Sequence, residues 1–286
     1  MIIYLNGQFV PENEAKVSVL DRSFMYGDGL FETVRLYKGR PVLWREHLAR
    51  MKLGAKTCGF NLNVEWMELG FLAMELAKRN SIAEGVLRVH LSRGVGLRGY
   101  SPVGADHPTL VMTVNSLTQK EFHHPPITAM LCERIWLPKG DESTPLKTAS
   151  KFPHIIARME ADAAKVDECI LLNPENRVVE FTSGNIFIRK GNSLITPSHE
   201  EGPVMGIMRE AIVDIMRMSR FSVIEGEIQI EDLSKADAIY RTSSIGGVTP
   251  IIKILGMKIA IPSPTPILRT LVDRLIEMDH KIPWKD

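Results

Sequence analysis

Two α/β domains in one chain are what this sequence predicts, on three observations. Short apolar runs with strand character alternate with longer segments whose apolar residues recur every three or four positions. The chain has 286 residues, 44% apolar and 24% charged, which is enough for more than one core. A polar stretch over 115–122, followed by His123-His124-Pro125-Pro126, separates two patterned regions and reads as a linker. The expected boundary is an N-terminal domain over 1–118 and a C-terminal domain over 119–286.

Composition removes several classes of function. Lys and Arg number 35 against 34 Asp and Glu, so there is neither a basic excess for nucleic acid nor an acidic tail. Cys58, Cys132 and Cys169 are odd in number, scattered, and lack C-x-x-C spacing. That argues against a disulfide framework or zinc site and for apolar core positions in a reducing compartment. The first residues, 1–7, carry no basic segment ahead of a long apolar run, and no apolar stretch reaches the ~20 residues of a membrane helix. The expectation is a cytoplasmic protein with no metal, nucleic-acid or membrane partner.

The first half begins with a hairpin, Ile2–Leu5, Asn6-Gly7 and Gln8-Phe9-Val10. Residues 18–23 predict a turn or a single helical turn. Gly27 and Gly29 let the backbone turn sharply into an alternating strand over 30–37. A helix starts near Trp44. In it Arg50 follows Glu46 by one turn, which suits a solvated ion pair. A second helix is expected over 64–78, and strands at 87–91 and 109–114. Between those strands, 93–102 is a glycine-rich loop with two arginines, but it has no Walker lysine and opens no helix. His123 and His124 read as surface residues, since no other metal ligand converges on them in the sequence.

The second half predicts a strand at 127–131, a helix through Phe152, Ile155, Met159 and Ala163, and a strand at Glu168–Leu172. A turn at 173–177 leads to Val178-Val179-Glu180-Phe181 and on to a strand at 186–188. Lys190-Gly191-Asn192 turns the chain again. Gly206 opens a helix through Ile212, Ile215 and Met216, whose unpaired N–H groups would seat a phosphate. A strand region at 221–230, a short helix from Glu231 and a strand at 238–242 follow. Residues 243–250 read as a hydroxyl-rich turn, and 265–278 as an amphipathic tail helix.

Within this order, Leu146-Lys147-Thr148-Ala149-Ser150 stands ahead of a helix, and Glu180-Phe181-Thr182-Ser183-Gly184-Asn185 ends a strand. Asp21-Arg22 with Gly27 to Thr33, Glu46-His47-Leu48-Ala49-Arg50 and Gly206-Ile207-Met208-Arg209 complete the pattern. Together they resemble the fold-type IV enzymes that use pyridoxal 5'-phosphate (PLP). That family includes branched-chain and D-amino acid aminotransferases and aminodeoxychorismate lyase. The resemblance spans nearly the whole chain. It implies a smaller N-terminal α/β domain and a larger C-terminal mixed α/β domain, with the cofactor between them, in a homodimer. It further implies that Lys147 is the Schiff-base lysine and Glu180 the partner of the ring nitrogen. Arg50, Ile207, Met208 and Ser244 then bind the phosphate, which replaces the ion-pair reading of Arg50. Arg98, Tyr100, Phe31 and Thr33 fall on the substrate side, while His47 stays structural.

These residue types suit the chemistry. An imine needs a lysine that can be neutral, an electron sink needs a carboxylate at the ring nitrogen, and a phosphate needs cations and amides. Two positions depart from the family pattern. Phe152 stands where branched-chain aminotransferases carry a tyrosine, which leaves the cofactor phenolate without an assigned partner. Met208 stands where threonine is common. The expected function is transfer of an amino group between an amino acid and a 2-oxo acid. The alternative is the lyase that yields p-aminobenzoate and pyruvate. A non-catalytic ligand-binding protein would require Lys147 and Glu180 to be incidental.

Overall fold

The computed structural model describes residues 1–60, 65–117, 122–141, 146–218, 222–260 and 266–282. The chain divides into two compact units. The first comprises Met1–Lys120, Leu146–Ser150 and Ile276–Asp286; the second comprises Glu121–Pro145 and Lys151–Leu275. A single cut at residue 118 would leave two of these segments on the far side. Leu146–Ser150 joins the first unit because its backbone pairs there. Phe31 N–H donates to Lys147 O (2.9 Å), and Ala149 N–H donates to Gly29 O (2.8 Å). The C-terminal segment joins it through Asp279, which accepts Leu43 N–H (2.8 Å), and through Arg40, which donates to His280 O (2.8 Å).

The first unit contains strands β1 (Ile2–Leu5), β2 (Gln8–Pro11), β3 (Gly29–Tyr37), β4 (Arg40–Pro41), β5 (Gly85–Ser92) and β6 (Thr109–Ser116). They form one antiparallel sheet in the order β2-β1-β6-β5-β3-β4. Helices α1 (Arg22–Tyr26), α2 (Trp44–Thr57) and α3 (Glu68–Arg79) accompany it. Asn6 and Gly7 both have positive φ (46° and 93°), as the two-residue hairpin turn requires. The alternation expected of β3 is not seen, because the strand is buried almost throughout. Val34 and Leu36 join the core with Leu48 and Met51 of α2. On the opposite face Phe31 is covered by Arg88 and Lys147. The second helix begins at Glu68 rather than at residue 64.

The second unit contains β7 (Ile127–Trp136), β8 (Glu168–Leu172), β9 (Val178–Phe181), β10 (Gly184–Lys190), β11 (Ser193–Pro197), β12 (Ser222–Gly226), β13 (Ala238–Ser243) and β14 (Gly247–Ile254). Their order is β12-β11-β10-β13-β14-β7-β8-β9, and β9 also pairs with β10. That last pairing closes six strands into a barrel-like ring filled by Ile170, Phe181, Ile186, Ile239 and Ile251. Helices α4 (Phe152–Ala163), α5 (Ile207–Arg217), α6 (Ile230–Lys235) and α7 (Pro266–Lys281) complete the described elements. The hydroxyl-rich turn is shorter than expected. Gly247 already belongs to β14, because ring closure pairs that segment with β13 and β7. Val64, Phe221, Thr265 and the linker centre at 118–121 lie outside the described residues. Among the described residues no helix is long and apolar enough to cross a bilayer.

Cys132 and Cys169 occupy the apolar core as expected. There β7 and β8 bring their sulfurs together with a Glu160 oxygen, all within 4.8 Å of one another. Burial pushes both thiols up, which keeps them protonated, and they pack among Leu171, Val179, Ala157 and Ala161. Glu160 accepts the backbone N–H groups of Glu133 and Arg134 (3.0 and 3.1 Å) and so fixes the irregular end of β7. His123 and His124, expected at the surface, are half-buried. Val248 N–H donates to His123 Nδ1 (3.0 Å), and His124 N–H donates to Gly246 O (3.1 Å), so both support the turn before β14.

Arg209 is fully buried on α5 and donates to Pro197 O and Glu225 Oε2, both at 2.8 Å. Arg209→Met should lower the unfolding free energy in urea by about 3 kcal/mol, because it leaves Glu225 and a buried carbonyl without their donor. An unchanged midpoint would make the buried fork dispensable.

Candidate active site

Lys147 does not stand at the mouth of a helix. It lies on a short extended segment whose Thr148 bridges Leu30 of β3, and α4 starts only at Phe152. Leu146 is anchored in the core of the first unit, and the lysine side chain is half-buried. Its Nζ lies 4.6 Å from the centroid of the Phe31 ring. A residue that the sequence reading missed meets the same ring: the Arg88 guanidinium carbon is 3.5 Å from that centroid, and Arg88 Nη1 donates to Thr33 Oγ1 (3.1 Å). Strand register explains the grouping. Thr33 is opposite Arg88, and Phe31 is two residues from Thr33 on the same face. Burial pulls the Arg88 guanidinium down to about 10, which leaves it a cation at neutral pH. Only the strand pairing, not the sequence pattern, places it beside the lysine.

Glu32 points to the other face, toward α2. Arg50 forks onto it, Nε to Oε1 at 2.8 Å and Nη2 to Oε2 at 2.6 Å. His47 Nδ1 donates to the same carboxylate at 2.6 Å. The partner of Arg50 is therefore a buried glutamate on a neighbouring strand, while Glu46 is exposed. Burial alone would raise the Glu32 pKa, but Arg50 and His47 outweigh it and hold the carboxyl at about 2.

Arg98 and Tyr100 stand apart from this cluster on an exposed loop of the first unit. Arg22 holds that loop. Its guanidinium donates to the carbonyls of Gly99 (2.9 Å), Tyr100 (2.9 Å) and Ser101 (3.1 Å), and to Asp28 Oδ2 (2.8 Å). Asp21 caps α1 by accepting Ser23 N–H, and Gly27 ends it with positive φ. The Asp21-Arg22 to Asp28 stretch thus works as a clamp on the loop that carries Arg98.

In the second unit Glu180 is 4% exposed at the end of β9. His154 Nε2 lies 3.1 Å from its Oε1, while Val204 N–H (3.1 Å) and Asn185 Nδ2 (3.4 Å) donate to Oε2. The neighbouring Thr182 and Ser183 hydroxyls donate to Glu168, which also accepts Arg241 Nη1 at 2.9 Å. Ile207 and Met208 are the first two residues of α5, and no side chain caps that helix. Their N–H groups belong to the unpaired first turn, which favours an anion. At Gly206 an added Cβ would lie 2.0 Å from Asn185 Oδ1, so a larger residue would have to displace the Asn185 side chain. Ser244 follows β13 in the turn that Ser243 and Thr249 brace through Gly246.

These donor sets fit PLP. A buried carboxylate with no Arg or Lys ion pair among the described residues suits a protonated ring nitrogen. A glycine-gated, uncapped helix start suits a phosphate, and a half-buried lysine beside an aromatic ring suits imine formation.

The amino-transferase class IV family matches residues 29–254. The chain belongs to this family. A Methanocaldococcus jannaschii protein provisionally named branched-chain-amino-acid aminotransferase is 31% identical over 281 residues, covering 98% of this chain and 97% of the relative. An aminodeoxychorismate lyase of Bacillus subtilis is 31% identical over 255 residues, covering 88% and 86%. A crystal structure of a branched-chain aminotransferase from the thermophilic archaeon Thermoproteus uzoniensis, with norvaline, superposes with a TM-score of 0.85. It is 26% identical and covers 98% of this chain and 94% of that one. This member of the class IV family is accordingly a PLP-dependent enzyme of the two-domain, fold-type IV architecture.

The Glu32 carboxyl, held at about 2 against an ordinary 4.5, makes a stability contribution that is fully present above pH 4.5. It is lost as pH falls through about 2, and amounts to about 3 kcal/mol. Glu32→Gln should flatten the stability profile in that window. Acid-unfolding curves of the two proteins that run parallel between pH 4.5 and 2 would refute this.

Proposed function

We propose that this family member is an amino acid:2-oxo acid aminotransferase. The observation that carries the reading is the meeting of Lys147 and Arg88 at the Phe31 ring, an amine for proton transfer beside a guanidinium for a carboxylate. The fuller match to the Methanocaldococcus relative than to the lyase supports amino transfer. When bound, PLP supplies an aldehyde for the substrate amino group and a ring that accepts the electron pair left by Cα deprotonation.

In this reading Lys147 takes the proton from the substrate Cα and returns it on the other side of the transfer. Glu180 holds the proton at the ring nitrogen by charge attraction. The N–H groups of Ile207 and Met208, with Arg50 and Ser244, bind the phosphate, and Glu32 fixes the Arg50 fork in one orientation. Arg88 with Phe31 and Thr33 receives one carboxylate of the donor. Arg98 and Tyr100 offer a second polar contact from the loop clamped by Arg22. An enzyme that presents two separate cations suits a dicarboxylic donor such as glutamate.

The test is to mix holoenzyme with one amino acid at a time, glutamate and branched-chain amino acids of both hands included, with no oxo acid present. The expected result is stoichiometric conversion of the bound cofactor to its pyridoxamine form, and borohydride treatment of the holoenzyme before any amino acid is added should place the pyridoxyl label on Lys147. Label on Lys151 would refute the lysine assignment. If no amino acid converts the cofactor while aminodeoxychorismate yields p-aminobenzoate, the protein is the lyase.

We infer further that the enzyme is a homodimer. Val19, Leu20, Phe24, Leu97, Tyr100 and Val103 are 59–88% exposed on two segments joined by the Asp21–Val95 bridge. An apolar patch of this extent is what a second copy would cover. Sedimentation should give twice the chain mass, and Phe24→Asp should shift it toward one. A wild-type monomer at micromolar concentration would refute the inference.

A further inference from the structure

His154 touches the carboxylate that the proposed chemistry depends on, yet that reading gives it no role. It is the third residue of α4, next to Pro153, with Nε2 3.1 Å from Glu180 Oε1. An ionised carboxylate only accepts hydrogen bonds, so Nε2 carries the hydrogen. Nδ1 is buried and has no hydrogen-bond partner among the described residues. A proton on Nδ1 would be a buried donor without an acceptor, and it would put positive charge in the first turn of a helix, where the peptide dipoles oppose it. Both effects favour an imidazole whose one hydrogen is on Nε2, against the attraction of the Glu180 carboxylate for a second.

All three donors to Glu180 are then neutral: an imidazole, the Val204 amide and the Asn185 amide. Glu32 shows the contrast, because its two oxygens are occupied by the Arg50 cation. A lysine or arginine at position 154 could make a similar bond but would offset the Glu180 charge. With no donor there, Oε1 would be a buried acceptor left unpaired, and the carboxylate would lose one of its three fixed contacts.

We propose that His154 is a positioning residue, a neutral donor that fixes the Glu180 carboxylate without cancelling its charge. The inference rests on the reading of Glu180 as the ring-nitrogen partner. It predicts that His154 acts on the cofactor only through Glu180.

Holoenzymes of wild type, His154→Leu, His154→Gln, Glu180→Gln and the His154→Leu/Glu180→Gln pair are compared. Two quantities other than turnover are read: the PLP dissociation constant and the pH midpoint of the bound cofactor's absorbance. His154→Leu should weaken PLP binding by about three- to tenfold, the range of one neutral hydrogen bond. It should also move the midpoint in the same direction as Glu180→Gln, but less. His154→Gln keeps a neutral donor and should restore much of both. In the Glu180→Gln background His154→Leu should add nothing, whereas a purely structural role would add its full effect. Nitrogen NMR of the histidine-labelled holoenzyme should show His154 neutral with its hydrogen on Nε2 at about pH 7.

If Glu180→Gln moves both quantities and His154→Leu moves neither, the proposal is overturned and the role of Glu180 stands. An imidazolium signal for His154 at that pH overturns it as well. If Glu180→Gln itself moves neither quantity, the reading of Glu180 fails and the proposal falls with it.

Discussion

Two backbone hydrogen bonds, from Phe31 to Lys147 and from Ala149 to Gly29, decide where Lys147 stands. They add Leu146–Ser150 to the edge of β3, although the residues on both sides of this segment in sequence belong to the second unit. Backbone pairing is indifferent to side-chain identity, so Lys147 is held in place by main-chain geometry. Leu146 in the core of the first unit makes the register hard to slip, since a one-residue shift would exchange the buried leucine for the lysine.

Three of the buried carboxylates, Glu32, Glu168 and Glu180, differ in what they hold. Glu32 is matched to Arg50 and His47, so its charge is used within the protein to orient a guanidinium. Glu168 gathers Arg241 and the Thr182 and Ser183 hydroxyls, which ties the turn after β9 to β13. Glu180 accepts from His154, Asn185 and the Val204 amide, with no Arg or Lys ion pair among the described residues. A buried charge without a counter-ion is costly to maintain unless something binds it, which supports the proposal that Glu180 faces a protonated ring nitrogen.

Much of this was legible in the sequence. Strand and helix periodicities located most elements, and the segments around Lys147, Glu180, Arg50 and Gly206 stood out by residue type and order. What the sequence did not show shares one origin. Arg50 was spaced for Glu46 along its helix but bonds Glu32 across a strand. Cys132 and Cys169 are 37 positions apart yet adjacent on β7 and β8. His123 looked like linker surface but accepts an N–H from β14. Each involves a partner distant in sequence, which local periodicity does not encode.

The sequence by itself determined the residue types, their order, and hence the class of chemistry, because lysine, carboxylate and glycine-opened helix are covalent facts of the chain. Only the tertiary structure decided which groups meet. Strand register placed Arg88 beside Phe31 and Lys147, closure of the β9–β10 pair set Asn185 against Glu180, and the start of α4 brought His154 onto the same carboxylate. The physical reason is that hydrogen bonds and charge attraction act over a few ångströms of space, whatever the separation along the chain.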